Sequence, residues 1–161
     1  MPIKKLSPKT LRKHKGISFP GVTTVVICHD GKGKILMAQR SKNARDEHGR
    51  WDICAGGLKH GTSVEDNVRR EAKEEFNVDL KELSFLGYND NFRQTSDGQP
   101  THWVAICFAA LVDPRQVKMN EPDMVDDHGW FSLDALPTPI HSQFPNFIGK
   151  FGDQLRVIVG G

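Results

Sequence analysis

A length of 161 residues with 37% hydrophobic content fits one domain with a single packed core, and we expect no second domain. Positive and negative side chains are interspersed and the net charge is only +2, so global electrostatics give no support for a nucleic-acid partner or a membrane surface. The three cysteines form no C-x-x-C pair, and no segment has the apolar length of a secretory signal or a membrane span, so we expect a reduced, cytoplasmic protein.

The chain begins with a basic segment that is poor in large apolar side chains. We expect residues 1–18 to form a solvated or loosely docked N-terminal extension, and residues 19–161 to form the single domain. The composition is typical of a solvated tail, although a tail that binds phosphate or RNA would have the same composition.

A β-hairpin is predicted directly after this extension. Residues 21–40 contain two apolar runs, the first rich in β-branched residues, separated by the turn signal Asp30-Gly31. Neither run alternates with polar residues, so both strands are expected to be buried on both faces.

A polar loop over residues 41–50 leads to a short strand over residues 51–55, which ends at the glycine pair Gly56 and Gly57. Glycine lacks a Cβ atom, so this pair either lets the backbone approach a functional group closely or only serves the turn.

The clearest helix in the sequence begins at Thr62 or Ser63 and ends near Phe76. Both residues are good N-caps, and Glu65 and Asp66 follow in the first turn, where the helix dipole favours anions. A stripe that repeats every four residues is expected to be buried: Val64, Val68, Ala72 and Phe76.

The second half of the chain returns to strands and ends in a helix. A second hairpin is predicted with its bend at Asp97-Gly98, followed by a short strand from Gly129 to Ser132. A brief helix over residues 132–137 and a C-terminal helix over residues 142–159 complete the prediction. Together these elements indicate a mixed β-sheet between helical layers, an α/β/α sandwich of the α+β or α/β class.

Three carboxylates lie close together on the central helix. Glu71 and Glu75 are 40° apart on its circumference at 100° per residue, and Glu74 lies on the same side. Like charges at this spacing repel, which a solvated face tolerates and a bound magnesium ion would relieve. A glycine-rich turn, of the type that binds phosphate, lies shortly before the helix. It favours the magnesium interpretation, because magnesium binds carboxylates together with phosphate oxygens.

The whole segment from Gly56 to Val78 resembles the signature box of the Nudix (MutT-like) hydrolase family, G-x5-E-x7-REUxEExGU, across its 23 residues. Arg70 and Glu71 take the R-E positions, and Glu74 and Glu75 take the E-E positions. The flanking stretches KILMAQRS, GRWDICAGG and GWFSLDALP are also similar to the family, so the resemblance covers residues 21–137.

Two positions depart from the family pattern. Asn77 replaces the glycine that closes the helix, and asparagine is the residue that best adopts the same left-handed conformation. Thr62 replaces a glutamate and brings no charge to a metal, which leaves the number of bound metals and the choice of substrate open.

The resemblance implies a Nudix-type fold and a magnesium-dependent pyrophosphohydrolase, with Mn²⁺ as an alternative metal, that cleaves a diphosphate linkage in a nucleotide or nucleoside-diphosphate derivative. It implies catalytic roles for Glu71, Glu74 and Glu75, with Arg70 orienting them, and a metal site of these glutamates and Gly56. The general base is not identified. The implied partner is a small nucleotide or another diphosphate compound, and a homodimer stays open.

Six residues are substrate-binding candidates: Arg40, Gly56, Gly57, Phe92, Trp103 and Glu121. Arg40 either contacts a phosphate or forms a surface ion pair. Phe92 and Trp103 either stack on a base or belong to the core. Glu121 follows an N-x-E-P pattern seen in a nucleotide-hydrolysing subgroup, and is either a metal ligand, a base contact or an exposed loop acid.

Two other functions are compatible with a fold of this kind. An isopentenyl-diphosphate isomerase-like enzyme would use a cysteine near the glycine pair, where Cys54 lies, but its Ser-His-Pro sequence is absent. A non-catalytic module that senses a nucleotide would keep the fold, although such modules usually lose the box glutamates that are present here.

Overall fold

The computed structural model describes residues 5–160 of the chain. The helices are α1 (Pro8–His14), α2 (Val64–Phe76) and α3 (Phe144–Gly160). The strands are β1 (Gly21–His29), β2 (Lys34–Arg40), β3 (Trp51–Asp52), β4 (Cys54–Gly57), β5 (Lys81–Gln94), β6 (Pro100–Leu111) and β7 (Val125–Ser132). Two 3-10 turns, Pro114–Gln116 and Pro122–Met124, lie between β6 and β7. Within residues 5–160, no helix combines the length and apolar character that crossing a membrane requires.

The sheet is mixed, as predicted, and runs in the order β3-β2-β1-β6-β5, with β4 paired to β1 and β7 paired to β2. β1 and β6 are parallel, and the other pairs are antiparallel. The predicted hairpin of β1 and β2 forms, but its strands pair only at His29 and Ile35 beside the turn. Because the strands then diverge, β4 can pair with β1 and β3 with β2, which brings the glycine pair into the sheet, while β7 pairs with the opposite edge of β2.

Two hydrophobic cores lie on opposite faces of this sheet. One contains Phe151 and Leu155 of α3, packed against inward side chains of β1, β2 and β6. The other contains Val68, Ala72 and Phe76 of α2, which are three of the four residues in the predicted stripe. The predicted sandwich of a mixed sheet between helices is therefore confirmed.

Helix α2 begins and ends as the sequence indicates. Ser63, and not Thr62, is the N-cap, and its Oγ atom accepts a hydrogen bond from the Asp66 N–H at 3.1 Å. Asn77 closes the helix in the left-handed conformation, with φ of 60°, and its N–H donates to the Lys73 carbonyl. These two ends fix the rotation of the helix and therefore the direction of its carboxylates.

The predicted helix over residues 132–137 is wrong, because this segment is a turn that follows β7. Ser132 accepts hydrogen bonds from the N–H groups of Asp134 at 3.3 Å and Ala135 at 3.1 Å. Pro137 and Pro139 have no N–H to donate, so a helix cannot continue from this turn.

The strand predicted from Gly129 to Ser132 is longer than expected, since β7 begins at Val125. Its additional residues pair with β2 as far as Arg40, along the edge of β2 that faces away from β1. The pairing partner, and not the local sequence, sets the length of this strand. The predicted strand over residues 51–55 is interrupted at Ile53 and forms β3 and β4.

The N-terminal segment contains structure that its composition does not indicate. α1 is capped by Ser7, has no buried residue, and lies within the predicted extension. After it, Gly16 is buried and its carbonyl accepts a hydrogen bond from the His102 N–H at 2.8 Å. Residues 1–4 of the predicted extension lie outside the described residues.

His29 is a buried titratable group at the end of β1, with 3% of its surface exposed. Its Nδ1 atom accepts a hydrogen bond from the Gly31 N–H at 3.2 Å, and within residues 5–160 its buried Nε2 atom has no partner. Burial lowers the pKa of His29, although the nearby carboxylates of Asp30 and Glu82 oppose the shift.

We therefore expect the free energy of unfolding to fall as pH decreases from about 7.5 to about 5.5. Over this interval an unfolded histidine takes up a proton at its ordinary pKa, whereas folded His29, whose pKa is lowered, resists protonation. His29→Gln should weaken this pH dependence. Urea denaturation of both proteins at several pH values measures the free energy of unfolding as a function of pH. The same dependence on pH in both proteins would contradict the role assigned to His29.

Candidate active site

The carboxylates of α2 are placed differently along the helix. The Glu71 side chain is 14% exposed, whereas that of Glu74 is 53% exposed. Arg70 Nη2 donates to Glu71 Oε1 at 2.8 Å, and Arg70 Nε lies 3.8 Å from Glu74 Oε1. The guanidinium of Arg70 thus lies between two box glutamates, the geometry expected of a residue that orients them. Glu75 is half-buried one turn after Glu71.

Gly56 makes the burial of Glu71 possible. An added Cβ atom at Gly56 would lie 2.0 Å from Glu71 Cδ, so the carboxyl group packs directly on the glycine backbone. An added Cβ atom at Gly57 points to the other face of the sheet, where the nearest atom is Lys15 Nζ at 3.5 Å. Only the first glycine of the pair is therefore required by contact with a box glutamate.

Asn67, fully buried on α2, holds this arrangement together. Its Nδ2 atom donates to Thr24 Oγ1 at 2.9 Å, and its Oδ1 atom accepts from Arg70 Nη2 at 2.7 Å. The Lys59 N–H donates to the same Oδ1 atom at 3.2 Å. The Asn67 side chain thus joins β1, the loop that follows Gly57 and Arg70 in one hydrogen-bond network. The sequence analysis did not identify Asn67 as a site residue.

Burial raises the pKa of Glu75 well above its ordinary value, and the charges of Glu71, Asp52 and Glu121 raise it further. The pKa of Glu71 is also raised by burial, against the opposing effect of Arg70. Two adjacent carboxylates that are costly to ionise together indicate a place where a positive charge is needed.

The loop that carries Glu121 is fixed to the end of α2. Three donors of this loop bond to carbonyls of the last turn: Lys118 N–H to Phe76 at 3.0 Å, Asn120 N–H to Glu75 at 3.2 Å, and Asn120 Nδ2 to Lys73 at 3.0 Å. Glu121 is therefore held beside Glu75, and both residues line a small cavity of about 130 Å³.

The chemistry of these donors fits a divalent metal. Carboxylates are the hard oxygen ligands that magnesium prefers, and a cation would relieve the repulsion between Glu71 and Glu75. In the present side-chain arrangement, no group of three or more His, Cys, Asp or Glu within residues 5–160 is close enough together to hold a metal ion. A metal would therefore require rotation of at least one side chain, such as the exposed Glu74.

A larger cavity of about 560 Å³ lies on the α3 side of the sheet. It shares Arg40, Asp52 and Ile53 with the small cavity beside Glu75, so the two cavities meet at these residues. At Trp103 and Gly57 the cavity reaches the far end of β4. Its volume lies in the range typical of small-molecule sites.

Arg40 lines both cavities but forms ion pairs there. Its Nη2 atom lies 3.0 Å from Asp46 Oδ1, and its Nη1 atom lies 3.4 Å from Asp52 Oδ2. Arg93, another cavity residue, lies 3.1 Å from both Asp46 Oδ2 and Glu47 Oε1. The ion-pair alternative for Arg40 is the one observed, and its position still allows contact with a substrate.

Asp52 and His141 are site residues that sequence reasoning missed. Burial raises the pKa of Asp52, and its Oδ2 atom lies 3.8 Å from His141 Nε2. The Gln143 N–H donates to His141 Nδ1 at 3.2 Å, which leaves the proton on Nε2, facing Asp52. Their proximity depends on hydrogen bonds between Trp51 and residues 139 and 141, a long-range contact that no local sequence signal predicts. The presence of Asp52 in an otherwise apolar strand was the one usable hint.

The two aromatic candidates lie on opposite faces of the sheet. Trp103 is half-buried and lines the larger cavity. Phe92 is 68% exposed, stacks on His102 with ring centroids 4.6 Å apart, and is not part of the described lining of that cavity. Of the two, the structure brings only Trp103 to the cavity.

Cys54 does not resemble a catalytic cysteine. It is buried, and burial together with the nearby charge of Glu75 raises its pKa well above the ordinary value. A reactive cysteine needs a lowered pKa and access to substrate, so the isomerase-like alternative gains no support.

Comparison with known proteins agrees with this geometry. A family model described as NUDIX domain matches residues 19–151. The NAD-capped RNA hydrolase NudC of Erwinia tasmaniensis is 27% identical over 121 residues, 74% of this chain and 42% of that protein. The 8-oxo-dGDP phosphatase NUDT18 of Danio rerio is 26% identical over 141 residues, 84% of this chain and 38% of that protein. The chain thus spans about two fifths of the length of these relatives.

Among solved structures, a MutT NUDIX hydrolase from Burkholderia pseudomallei is similar to this chain with a TM-score of 0.71 and 28% identity. The match covers 82% of this chain and 98% of that one. The similarity therefore extends over the sheet and the helices on both of its faces.

We expect Gly56→Ala to destabilise the protein by about 1–3 kcal/mol, because the new methyl group must displace the Glu71 carboxyl group from a close-packed position. Gly57→Ala is the matched control, since its methyl group has room, and it should cost less than about 1 kcal/mol. Urea denaturation measures the free energy of unfolding of each variant. An equal loss of stability in the two variants would show that the contact between Gly56 and Glu71 has no special importance.

Proposed function

The chain belongs to the Nudix hydrolase family, and we propose that it is a magnesium-dependent pyrophosphohydrolase acting on a nucleoside-diphosphate derivative. The single observation that carries this proposal is the position of Glu75, whose pKa is raised by the neighbouring Glu71, in a small cavity that meets a larger cavity of nucleotide size at Arg40, Asp52 and Ile53. Their raised pKa values support a bound cation, since a purely structural surface acid would not be buried against another acid.

Glu71, Glu74, Glu75 and the Gly56 carbonyl are the groups that we assign to the metal, with Glu121 as a further ligand, and Glu74 would reach the metal by rotating from its present exposed position. When bound, magnesium would neutralise phosphate oxygens and lower the pKa of a coordinated water molecule. Arg70, which donates to Glu71 Oε1 at 2.8 Å, orients Glu71. Thr62 contributes no ligand, because it lacks a carboxylate.

The protein's own residues bind the rest of the substrate. Trp103 provides an aromatic surface for a base at one end of the larger cavity, and Asn89 and Asn91 line the same cavity as hydrogen-bonding groups. Arg40, where the cavities meet, lies between this surface and Glu75 and can contact a phosphate oxygen. Phe92 is not assigned a role in substrate binding.

Asp52 is the candidate that we assign to accept the proton of the attacking water. It lies where the cavities meet, and its raised pKa makes the ionised form a stronger base. Arg40 and His141 both lie near its Oδ2 atom, at 3.4 Å and 3.8 Å. Glu121 is the alternative base, because it also lines the cavity beside Glu75.

The substrate class follows from the two ends of the site. One relative is named for its action on NAD-capped RNA and another for its action on 8-oxo-dGDP, and both substrates join a nucleoside to a diphosphate. A diphosphate bound near Glu75 with its nucleoside in the larger cavity would satisfy the same chemistry in this protein.

The proposal is tested by measuring product release from nucleoside di- and triphosphates, ADP-ribose, NAD⁺, dinucleoside polyphosphates and NAD-capped RNA, with magnesium and with a chelator. We expect a magnesium-dependent product from at least one of these compounds. Silence across the panel from folded protein would favour the non-catalytic sensing module instead.

Glu75→Gln should lower turnover of that substrate by about 100-fold or more, because it removes a charged ligand without changing side-chain volume. Glu65→Gln on the exposed first turn of the same helix is the control, and should leave turnover within about twofold. Magnesium should raise the melting temperature of the native protein more than that of Glu75→Gln. Full activity in Glu75→Gln would refute the metal assignment.

A further inference from the structure

Residues that precede the region matched by the NUDIX domain model, which begins at residue 19, pack against two lining residues of the larger cavity, Trp103 and Gly57. Gly16 has a left-handed backbone with φ of 80°. It is fixed by hydrogen bonds from its N–H to the Phe19 carbonyl and from the His102 N–H to its own carbonyl, both 2.8 Å long. The end of the N-terminal segment is therefore docked on the strand that carries Trp103.

Trp103 is held in place by two glycines. An added Cβ atom would lie 2.3 Å from Trp103 Nε1 at Gly16 and 2.5 Å from Trp103 Cε3 at Gly21. The indole ring therefore lies directly on both backbones, and no side chain could occupy either position without moving it. The remaining surface of the ring lines the cavity, which suits stacking of a planar base.

Lys15 places a positive charge beside this ring. Its Nζ atom donates to the Leu58 carbonyl at 3.2 Å and lies 5.6 Å from the centroid of Trp103. It also lies 3.5 Å from an ideal Cβ position on Gly57, a residue of the cavity wall. An ammonium group has three N–H donors, so two donors remain after the bond to Leu58.

The charge of Lys15 differs from those of the cavity arginines. Arg40 and Arg93 are neutralised by Asp46, Asp52 and Glu47. Lys15 forms no ion pair with a carboxylate within residues 5–160, although it is half-buried. Arg45 lines the cavity and forms no such pair within residues 5–160, but it is exposed to water. Among these cations, Lys15 is the half-buried one whose charge is not already compensated.

Lys15 is also distant from the reacting end of the site. The cavities meet at Ile53, and Gly57 lies four residues further along β4, which corresponds to about 13 Å of extended chain. A cation at this distance would not contact the diphosphate that lies near Glu75. It would contact a group beyond the nucleoside that stacks on Trp103.

We propose that Lys15 is a specificity-determining residue that binds a phosphate group carried by the substrate on the ribose of the nucleoside stacked on Trp103. This inference rests on the proposed function for the placement of the nucleoside. A ribose phosphate occurs in a free nucleotide with a 2′- or 3′-phosphate, and also in an RNA chain, whose first phosphodiester follows the nucleoside. Both sources present the same anionic oxygens to the ammonium group.

Binding of nucleotides without a diphosphate tests this inference independently of hydrolysis. Calorimetry compares AMP with adenosine 2′,5′-bisphosphate and adenosine 3′,5′-bisphosphate in one arm, and with a short adenosine-headed RNA in another arm. In the native protein, we expect the additional phosphate to tighten binding by about tenfold in at least one arm. The arm that shows this gain identifies the source.

Lys15→Met should reduce that gain to less than about twofold and leave the affinity for AMP unchanged, because it removes the charge and keeps the length of the side chain. Lys15→Arg should retain most of the gain. Lys13→Met, an exposed change on α1, is the matched control and should retain all of it. If Lys15 only anchored the N-terminal segment on Trp103, Lys15→Met would weaken AMP and the bisphosphates equally.

Equal weakening, or a native protein without preference for the additional phosphate, would overturn the inference even if diphosphate hydrolysis is found. A selective loss in Lys15→Met would support it even if every compound of the hydrolysis panel were inert. The failure of this inference and the failure of the proposed function are thus separate results.

Discussion

The close packing of the Glu71 carboxyl group on the backbone of Gly56 is the contact on which the rest of the site depends. It requires β4 to lie in the sheet beside β1, because only then does the glycine face α2. It also requires α2 to have one particular rotation, which the caps at Ser63 and Asn77 and the buried stripe provide. The burial of Glu71 in turn brings Glu75 into the region where the cavities meet.

This arrangement concentrates negative charge at a place of restricted solvent access. Glu71, Glu75 and Asp52 all have raised pKa values, with burial as the main cause in each case. Arg70 and Arg40 compensate part of this charge, through contacts with Glu71 and Asp52 respectively. A divalent cation would balance part of the remaining negative charge, so the electrostatic cost of burying these carboxylates would favour binding of that cation.

The two faces of the sheet carry different parts of the candidate site. The face under α2 carries the box glutamates, whereas the face under α3 carries the cavity that ends at Trp103. The two regions meet at Asp52 and Ile53, which line both cavities and lie where β3 ends and β4 has not yet begun. Loops from distant parts of the chain complete both regions: residues 117–121 beside Glu75, and residues 139–143 beside Asp52.

The sequence by itself determined the mixed sheet with its helices, the boundaries of α2 and the candidate metal-binding glutamates, because caps, hydrophobic periodicity and the box spacing are local signals. The turn over residues 132–137 was missed although Pro137 and Pro139 are local signals against a helix. The sequence could not predict that β7 begins at Val125, since pairing with the edge of β2 decides where this strand begins. Asp52, His141, Asn67 and Lys15 were missed as site residues for the same reason. Their roles depend on contacts between residues far apart in the chain, and only the tertiary structure brings such residues together.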